Sequence, residues 1–454
     1  MVKRILAISF AFLMVITFFT ACGNGAPTDT SAPANGGGDG TSTGDSGSSG
    51  DTTAPGNDGS GVNIVWWAMW NDTEGHAGVL TDAAKRYEAD TGNTVEVVFN
   101  GREIRRTAYP AIAAGQVIDI IEYDPRHTIM NMQEVLLPLD EYVHKPYDIL
   151  NGQTVYERCA PVWWDIISTA SDDGKIYGTP SSAALFAVFY NKAHFREAGI
   201  TSVPNNWAEF LVVCEKLLDA GYIPFTNDDA YMMLWYDSYL HSAKGDEWVG
   251  LAAHDTTGEY WKDPAVLQMA ESFAYMRSKD FIPATAASNI SPAGQQAMGL
   301  GEVSMFVNGT WFPNELRDLT GPDFEWGTFA WPSVENWTEP NTVHWIGSQG
   351  YTLNKDTQVA DEAFELLAYF NSDQTEQELA DKCFQPPVVT NIETPAMLTD
   401  AVGLIANATG FWENFFDDNA ELGPILRANF TMLIGGTLTP EQFVDEMVKA
   451  SQGG

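Results

Sequence analysis

Fifteen tryptophans, and 61 acidic side chains against 23 basic ones, are what this chain of 454 residues brings to any chemistry. Adjacent acids such as Asp228-Asp229 have the composition of a metal or acid–base pair, but acids of this kind are more simply accounted for as solvated surface. The seven histidines form no HExxH or other ligand spacing, and neither a P-loop nor a nucleophile elbow is present. The four cysteines (Cys22, Cys159, Cys214 and Cys383) lie far apart; they allow one disulfide but imply no disulfide framework or thiol metal site. No catalytic residue, metal or cofactor is therefore expected. What remains is recognition by aromatic faces beside hydrogen-bonding groups, and these recur together in 67–72, 123–126 and 231–235, around Trp311 and Trp345, and in Phe411-Trp412 with Phe415-Phe416.

The charge limits the partners. A formal net charge of −38 repels phosphate backbones and anionic headgroups, so nucleic acid is excluded as a partner. The N-terminus adds an address. Lys3-Arg4, the apolar run 5–19 and Thr20-Ala21-Cys22 read as a secretory signal too short to span a bilayer. Small residues directly before a cysteine resemble the lipobox of bacterial lipoproteins, although Phe19 is atypical there. The resemblance implies cleavage after residue 21 and a lipid on Cys22; the alternative is an ordinary cleaved signal in which Cys22 is incidental. The Gly/Ser/Thr/Asp-rich stretch 22–61 has too little apolar surface to fold and reads as a flexible tether.

Elements that could position the aromatic groups begin at Val62. Asn63-Ile64-Val65-Trp66-Trp67-Ala68 reads as a strand, in which one of the alternating tryptophans faces the core and Trp67 is a candidate for a binding cleft, as is Asp72 in the following loop. A helix over 78–91 follows, with Val79, Ala83 and Tyr87 near one face and Gly92 at its end. Strands over 94–99 and 117–122 flank a second helical run ending at Gly115. This alternation predicts a parallel sheet covered by helices, with ligands beyond the carboxyl ends of the strands.

The order of further segments is similar to a known family, the extracellular solute-binding proteins of bacterial ABC importers, carbohydrate type, maltose-binding-protein-like. The segments are Tyr87-Glu88-Ala89-Asp90-Thr91-Gly92, Leu136-Leu137-Pro138-Leu139-Asp140, Asp173-Gly174-Lys175-Ile176-Tyr177-Gly178-Thr179-Pro180 with Phe189-Tyr190-Asn191-Lys192, Trp207-Ala208-Glu209-Phe210, and Gly301-Glu302-Val303-Ser304-Met305-Phe306 with Asn308-Gly309-Thr310-Trp311. Ile118 and Asn206 depart from the usual Pro and Thr. The resemblance implies an α/β, two-lobed periplasmic-binding-protein-like fold (type II), each lobe a mostly parallel sheet flanked by helices, joined by a multi-strand hinge. The expected division is 1–21 signal, 22–61 tether, 62–180 lobe 1, 181–346 lobe 2, 347–371 lobe 1 again and 372–454 lobe 2, with crossovers near 178–182 and 345–350. Matched segment by segment, the family's site falls on Asp124 and Arg126 for sugar hydroxyls, on Asp229 and Tyr231, and on Trp311 for stacking; Trp345 and Trp412 are further candidates from their neighbourhoods.

The function expected from this resemblance is a lipid-anchored, monomeric, non-enzymatic receptor outside the cytoplasmic membrane, or in a periplasm. It would capture a carbohydrate, in oligosaccharide form, and deliver it to the transmembrane subunits of an ABC permease. Two alternatives stand beside it: the same fold taking a cationic or peptide-like solute, and an extracellular enzyme acting on polysaccharide with two facing carboxylates.

Overall fold

The computed structural model describes residues 61–334, 345–406, 408, 410–411 and 415–453, with Trp345, Gly410, Phe411, Asp417 and Asp418 as backbone only. Cys22 and Trp412 lie outside the described residues. Strand β1 (Asn63–Ala68) pairs in parallel with β2 (Thr94–Phe99) and with β3 (Ile120–Tyr123). Helix Gly75–Thr91 covers this end of the sheet, burying Val79, Ala83 and Tyr87 at the spacing of one helical face. Its end is set by Gly92, whose φ of 78° places it in the left-handed region and returns its N–H to Glu88 O.

Two long strands carry the chain onward. β4 (Gly178–Asn191) runs antiparallel to β8 (Trp345–Leu353) through its first half and antiparallel to β6 (Val303–Gly309) and β7 (Trp326–Phe329) through its second. β8 also pairs antiparallel with β3, while β6 takes β5 (Ile223–Thr226) in parallel. A short β9 (Gly410–Phe411) lies parallel to β8. The spatial order is β2-β1-β3-β8-β4-β6-β5, a single sheet whose outer strands are parallel and whose middle is the antiparallel β8-β4 pair. The two segments expected as crossovers are thus partners, with Thr179 opposite Tyr351 and Pro180 opposite Gly350. Gly350 is required by contact: a Cβ there would lie 2.0 Å from Thr179 O.

Two buried clusters flank this middle. One gathers Trp66, Tyr87, Tyr351 and Phe370 around β1, β3 and β8 and runs on across the sheet to Phe189, Phe306 and Phe312; the other gathers Trp235, Trp261, Phe273 and Phe430 beyond β4 and β6. Each is a sizeable apolar core of the kind that defines a folding unit. Helix Asp373–Cys383, in the stretch expected to return to the second lobe from 372, packs instead on helix Gly75–Thr91. The reason is its buried stripe of Glu376, Leu379, Ala380 and Cys383, which has helical spacing and faces the first core. Helix Thr399–Ile405 is the one that then meets β4 and β7.

Candidate functional site

Where the two cores meet, β4 and β8 form the floor of a cleft of about 870 Å³, through Ser182, Ala183 and Ala184 on one strand and Gly347, Ser348 and Gln349 on the other. A ligand lying there would touch the strands that join the two halves of the molecule. The volume is that of a small-ligand site.

One wall is built from the turn after β1. Trp70, 7% exposed, donates its indole Nε1 to Glu122 Oε1 at 2.5 Å. His76 stacks on the indole with ring centroids 4.0 Å apart, and the Arg102 guanidinium lies 4.8 Å from its centroid. Arg102 is itself fixed, donating to both carboxylate oxygens of Glu74 at 2.8 and 2.9 Å and to Met69 O at 2.9 Å. Asn71 donates from its backbone and its side chain to the same Glu74. Burial alone would raise the Glu74 carboxyl, but Arg102 and Asn71 outweigh it and hold it below the usual range. Burial pushes His76 down to about 4 and so keeps it neutral. Burial also pushes Glu122 up to about 8, against the opposing hydrogen bonds from Trp70 and Trp66. The wall is therefore a rigid aromatic plate with one ion pair at its edge.

The facing wall comes from the segment between β6 and helix Phe312–Thr320. Trp311 donates its Nε1 to Tyr231 Oη at 3.3 Å and meets Phe186 edge to face at 5.2 Å. The indole lies directly over Gly309, where an added Cβ would stand 2.3 Å from a ring carbon, so any larger residue would displace the ring. Tyr231 is held edge-on against Phe306, and burial raises its hydroxyl to about 12. Glu315, one helical turn after Trp311, stands open to the water of the cleft yet is crowded by its walls. Crowding raises its carboxyl to about 7, Arg102 opposing and Glu74 adding to the rise.

A third side is supplied by Phe384, Gln385 and Pro386, just past helix Asp373–Cys383. Phe384 has a φ of 49°, a left-handed conformation that costs a non-glycine residue about 1–2 kcal/mol. Arg317 lies 5.9 Å from its ring and donates to Lys382 O at 2.8 Å, so the second half's helix Phe312–Thr320 holds the strained turn in place.

Asp124, Tyr231 and Trp311 come together on this cleft. Asp124 also caps helix Pro125–Met132 by accepting from His127 N at 3.2 Å, so the capping and cleft roles coexist. The other expected residues are elsewhere. Trp67 is 6% exposed and packed in the first core, because its neighbour Trp66 is buried as well and the strand is covered on both faces. Asp72 is exposed outside the cleft, and Arg126 is half-buried on helix Pro125–Met132 away from the lining. Asp229 is exposed and accepts from Ala230 N and Ser291 N, both at 2.8 Å, the contacts of a turn. Its neighbour Asp228 is fully buried and accepts from Gly294 N and Gln295 N at the start of helix Ala293–Gly299. Trp70, Arg102, Glu315 and Phe384 were not singled out by the sequence. Trp70 and Glu315 carried a local signal, the first in the same loop as Asp72 and the second four residues after Trp311; Arg102 and Phe384 carried none.

Cys159, Cys214 and Cys383 are buried free thiols. Among the described residues no group of His, Cys, Asp and Glu is placed to hold a metal ion, and no helix is long and apolar enough to cross a membrane.

Residues 70–377 match the profile of the family described as bacterial extracellular solute-binding protein. A binding protein of Brucella abortus (strain 2308) is 24% identical over 223 residues, which are 49% of this chain and 51% of that protein, so the chain spans about half the length of the curated relatives it matches. Among solved structures, a chitin oligosaccharide binding protein aligns over 87% of this chain and 98% of its own with a TM-score of 0.66 at 23% identity. The maltose-maltodextrin binding protein of Alicyclobacillus acidocaldarius aligns over 86% and 100% with a TM-score of 0.61 at 18% identity. At these identities the likeness is one of fold, the two-lobed architecture in which paired strands join the lobes.

Proposed function

This chain belongs to the bacterial extracellular solute-binding protein family, and on that premise we propose that its solute is a carbohydrate, in oligosaccharide form, which it passes to the permease of an ABC importer without chemical change. The observation that carries this reading is the pair of aromatic walls. Trp70 stands on one half of the molecule and Trp311 with Tyr231 on the other, each bordered by carboxylates and, at Trp70, by a guanidinium. Sugar rings present flat C–H faces that aromatic platforms cover and rim hydroxyls that carboxylates and Arg satisfy. The names of the chitin oligosaccharide and maltose-maltodextrin binding proteins support the same class. A ligand that touches both halves favours the state in which they approach, and that closed shape is what the permease reads. Upstream of the described residues, cleavage after residue 21 and lipidation of Cys22 would hold this receptor at the outer face of the membrane.

A second reading, a cationic solute, rests on the acids Glu74, Asp124 and Glu315 in the cleft, where Arg102 is already paired with Glu74. The two readings separate by experiment. Melting shifts of the protein from Val62 onward are recorded against a panel of glycans, amino acids and polyamines, since a ligand of the native state raises the melting temperature. A shift with one glycan class supports the carbohydrate reading; a shift with polyamines alone overturns it. A cation would also bind more tightly as the pH rises through about 7 and Glu315 ionises, a dependence that a neutral sugar lacks. Reducing ends released from the bound glycan would reveal an enzyme instead.

A further inference from the structure

The cleft does not end at Tyr231 and Glu315. Both residues also line a second cavity of about 550 Å³, which continues between helices Ala293–Gly299 and Phe312–Thr320. We propose that this cavity is an extension of the binding cleft that receives the distal units of a linear oligosaccharide, so that the chain selects longer oligomers over disaccharides. The inference rests on the carbohydrate reading above and deepens it.

Continuity is the first argument. Tyr231 is pinned at the junction by the hydrogen bond from Trp311 and by Phe306, so its ring is a fixed edge shared by the two cavities. Chemistry is the second. Leu300 is 62% exposed and Leu319 42%, an apolar surface that no neighbour covers completely. Beside them stand Gln296, Glu315 and the ring of Pro292. An apolar strip bordered by an amide and a carboxylate suits a sugar with one C–H face and hydroxyls at its rim. Size is the third. Each cavity falls in the range of roughly 300–1,000 Å³ that a small ligand fills, so the two together exceed what a disaccharide needs.

All of these residues come from 231–319, on or beside helices Ala293–Gly299 and Phe312–Thr320, of which the first packs on β6 and on the second; none comes from the turn after β1 that carries Trp70. Distal units in the extension therefore make the same contacts whether the lobes stand apart or together. A contact equal in both states adds affinity but moves no conformational equilibrium. Chain length should tighten binding without deepening closure.

The test titrates two-, four- and six-unit members of the chitin and maltodextrin series, and of any other linear series that shifts the melting temperature, into the wild type and into Q296W and L300W, which fill the extension from exposed positions. Expected is a six-unit ligand bound roughly ten-fold or more tighter than its two-unit relative by the wild type. Both variants should reduce the six-unit affinity to the two-unit level and leave the two-unit affinity alone, and small-angle scattering should show equal compaction with either length. Affinity independent of length, or variants that weaken both ligands equally, overturns the extension while the carbohydrate reading stands. If no glycan shifts the melting temperature, the carbohydrate reading fails, and the extension with it.

Discussion

Trp311 lies where it does because residue 309 has no side chain, and this coupling gives the simplest test of the site. Trp311→Ala should lower glycan affinity by roughly 30-fold or more, the scale of a buried aromatic anchor, with the melting temperature of the free protein little changed because the ring is half-exposed. Gly309→Ala should weaken binding to a similar degree with Trp311 still present, since the new methyl displaces the ring; unchanged affinity in either variant, measured by calorimetry, would remove Trp311 from the site. Glu122 gives a different test. Burial raises its carboxyl from the usual 4.5 or so to about 8, so the folded protein binds a proton that the unfolded chain has lost. The stability tied to Glu122 is thus full below about 4.5 and is lost as the pH climbs toward 8. Glu122→Gln should flatten that part of the decline and raise the melting temperature by at least roughly 2–4 °C at pH 8, while preserving the acceptor for Trp70. Glu376, buried and raised to about 8 as well, should leave a residual slope in the single variant that Glu376→Gln then removes. Of the residues expected from the sequence, Trp311, Tyr231 and Asp124 line the cleft, and each sits at an element boundary matching a known order of segments. Alternation along β1 points to Trp67, but a strand buried on both faces has no solvent side, and the tryptophan that lines the cleft is Trp70 in the turn beyond it.

Elements show the same division between local and distant causes. The helix over Gly75–Thr91 was legible because its stripe and its terminal glycine lie within one stretch of chain. The pairing of β4 with β8 joins segments far apart in sequence and was legible only as two separate crossovers. The turn at Phe384 was not legible at all, for a phenylalanine in the left-handed region contradicts its local preference and is held by Arg317 from another helix. Phe384→Gly tests its purpose. Glycine relieves the strained φ but removes a half-buried ring, so stability should change by less than about 1 kcal/mol, while glycan affinity falls several-fold if the ring faces the ligand. Equal affinity would assign Phe384 to packing alone. At the hinge, Gly350→Ala places a methyl against Thr179 O and should lower the melting temperature sharply, by roughly 5 °C or more, through loss of the β4-β8 register.

For the whole molecule, the proposed lipid on Cys22 would hold the receptor near its permease, and a tether raises the effective concentration of such an encounter. Cys22→Ser should release the protein from the cell surface into the medium and abolish incorporation of a labelled fatty acid, measured by fractionation and fluorography; retention of label would place the lipid elsewhere. The two-lobed plan was the most legible property of all, since it follows from the order of segments, and the return point after residue 371 the least, since it depends on which core a single amphipathic helix chooses.

The middle of the sheet carries a mechanical consequence. β4 is hydrogen-bonded along one end to β8 and along the other to β6 and β7, so a sliding motion of one lobe past the other would break a row of backbone bonds, whereas bending the strands breaks none. On the proposed function, this middle would resist shear and yield to flexion, and closure would be mainly a bending about β4 and β8. The proposed membrane partner would then need to measure little more than one angle to know whether the cleft is filled.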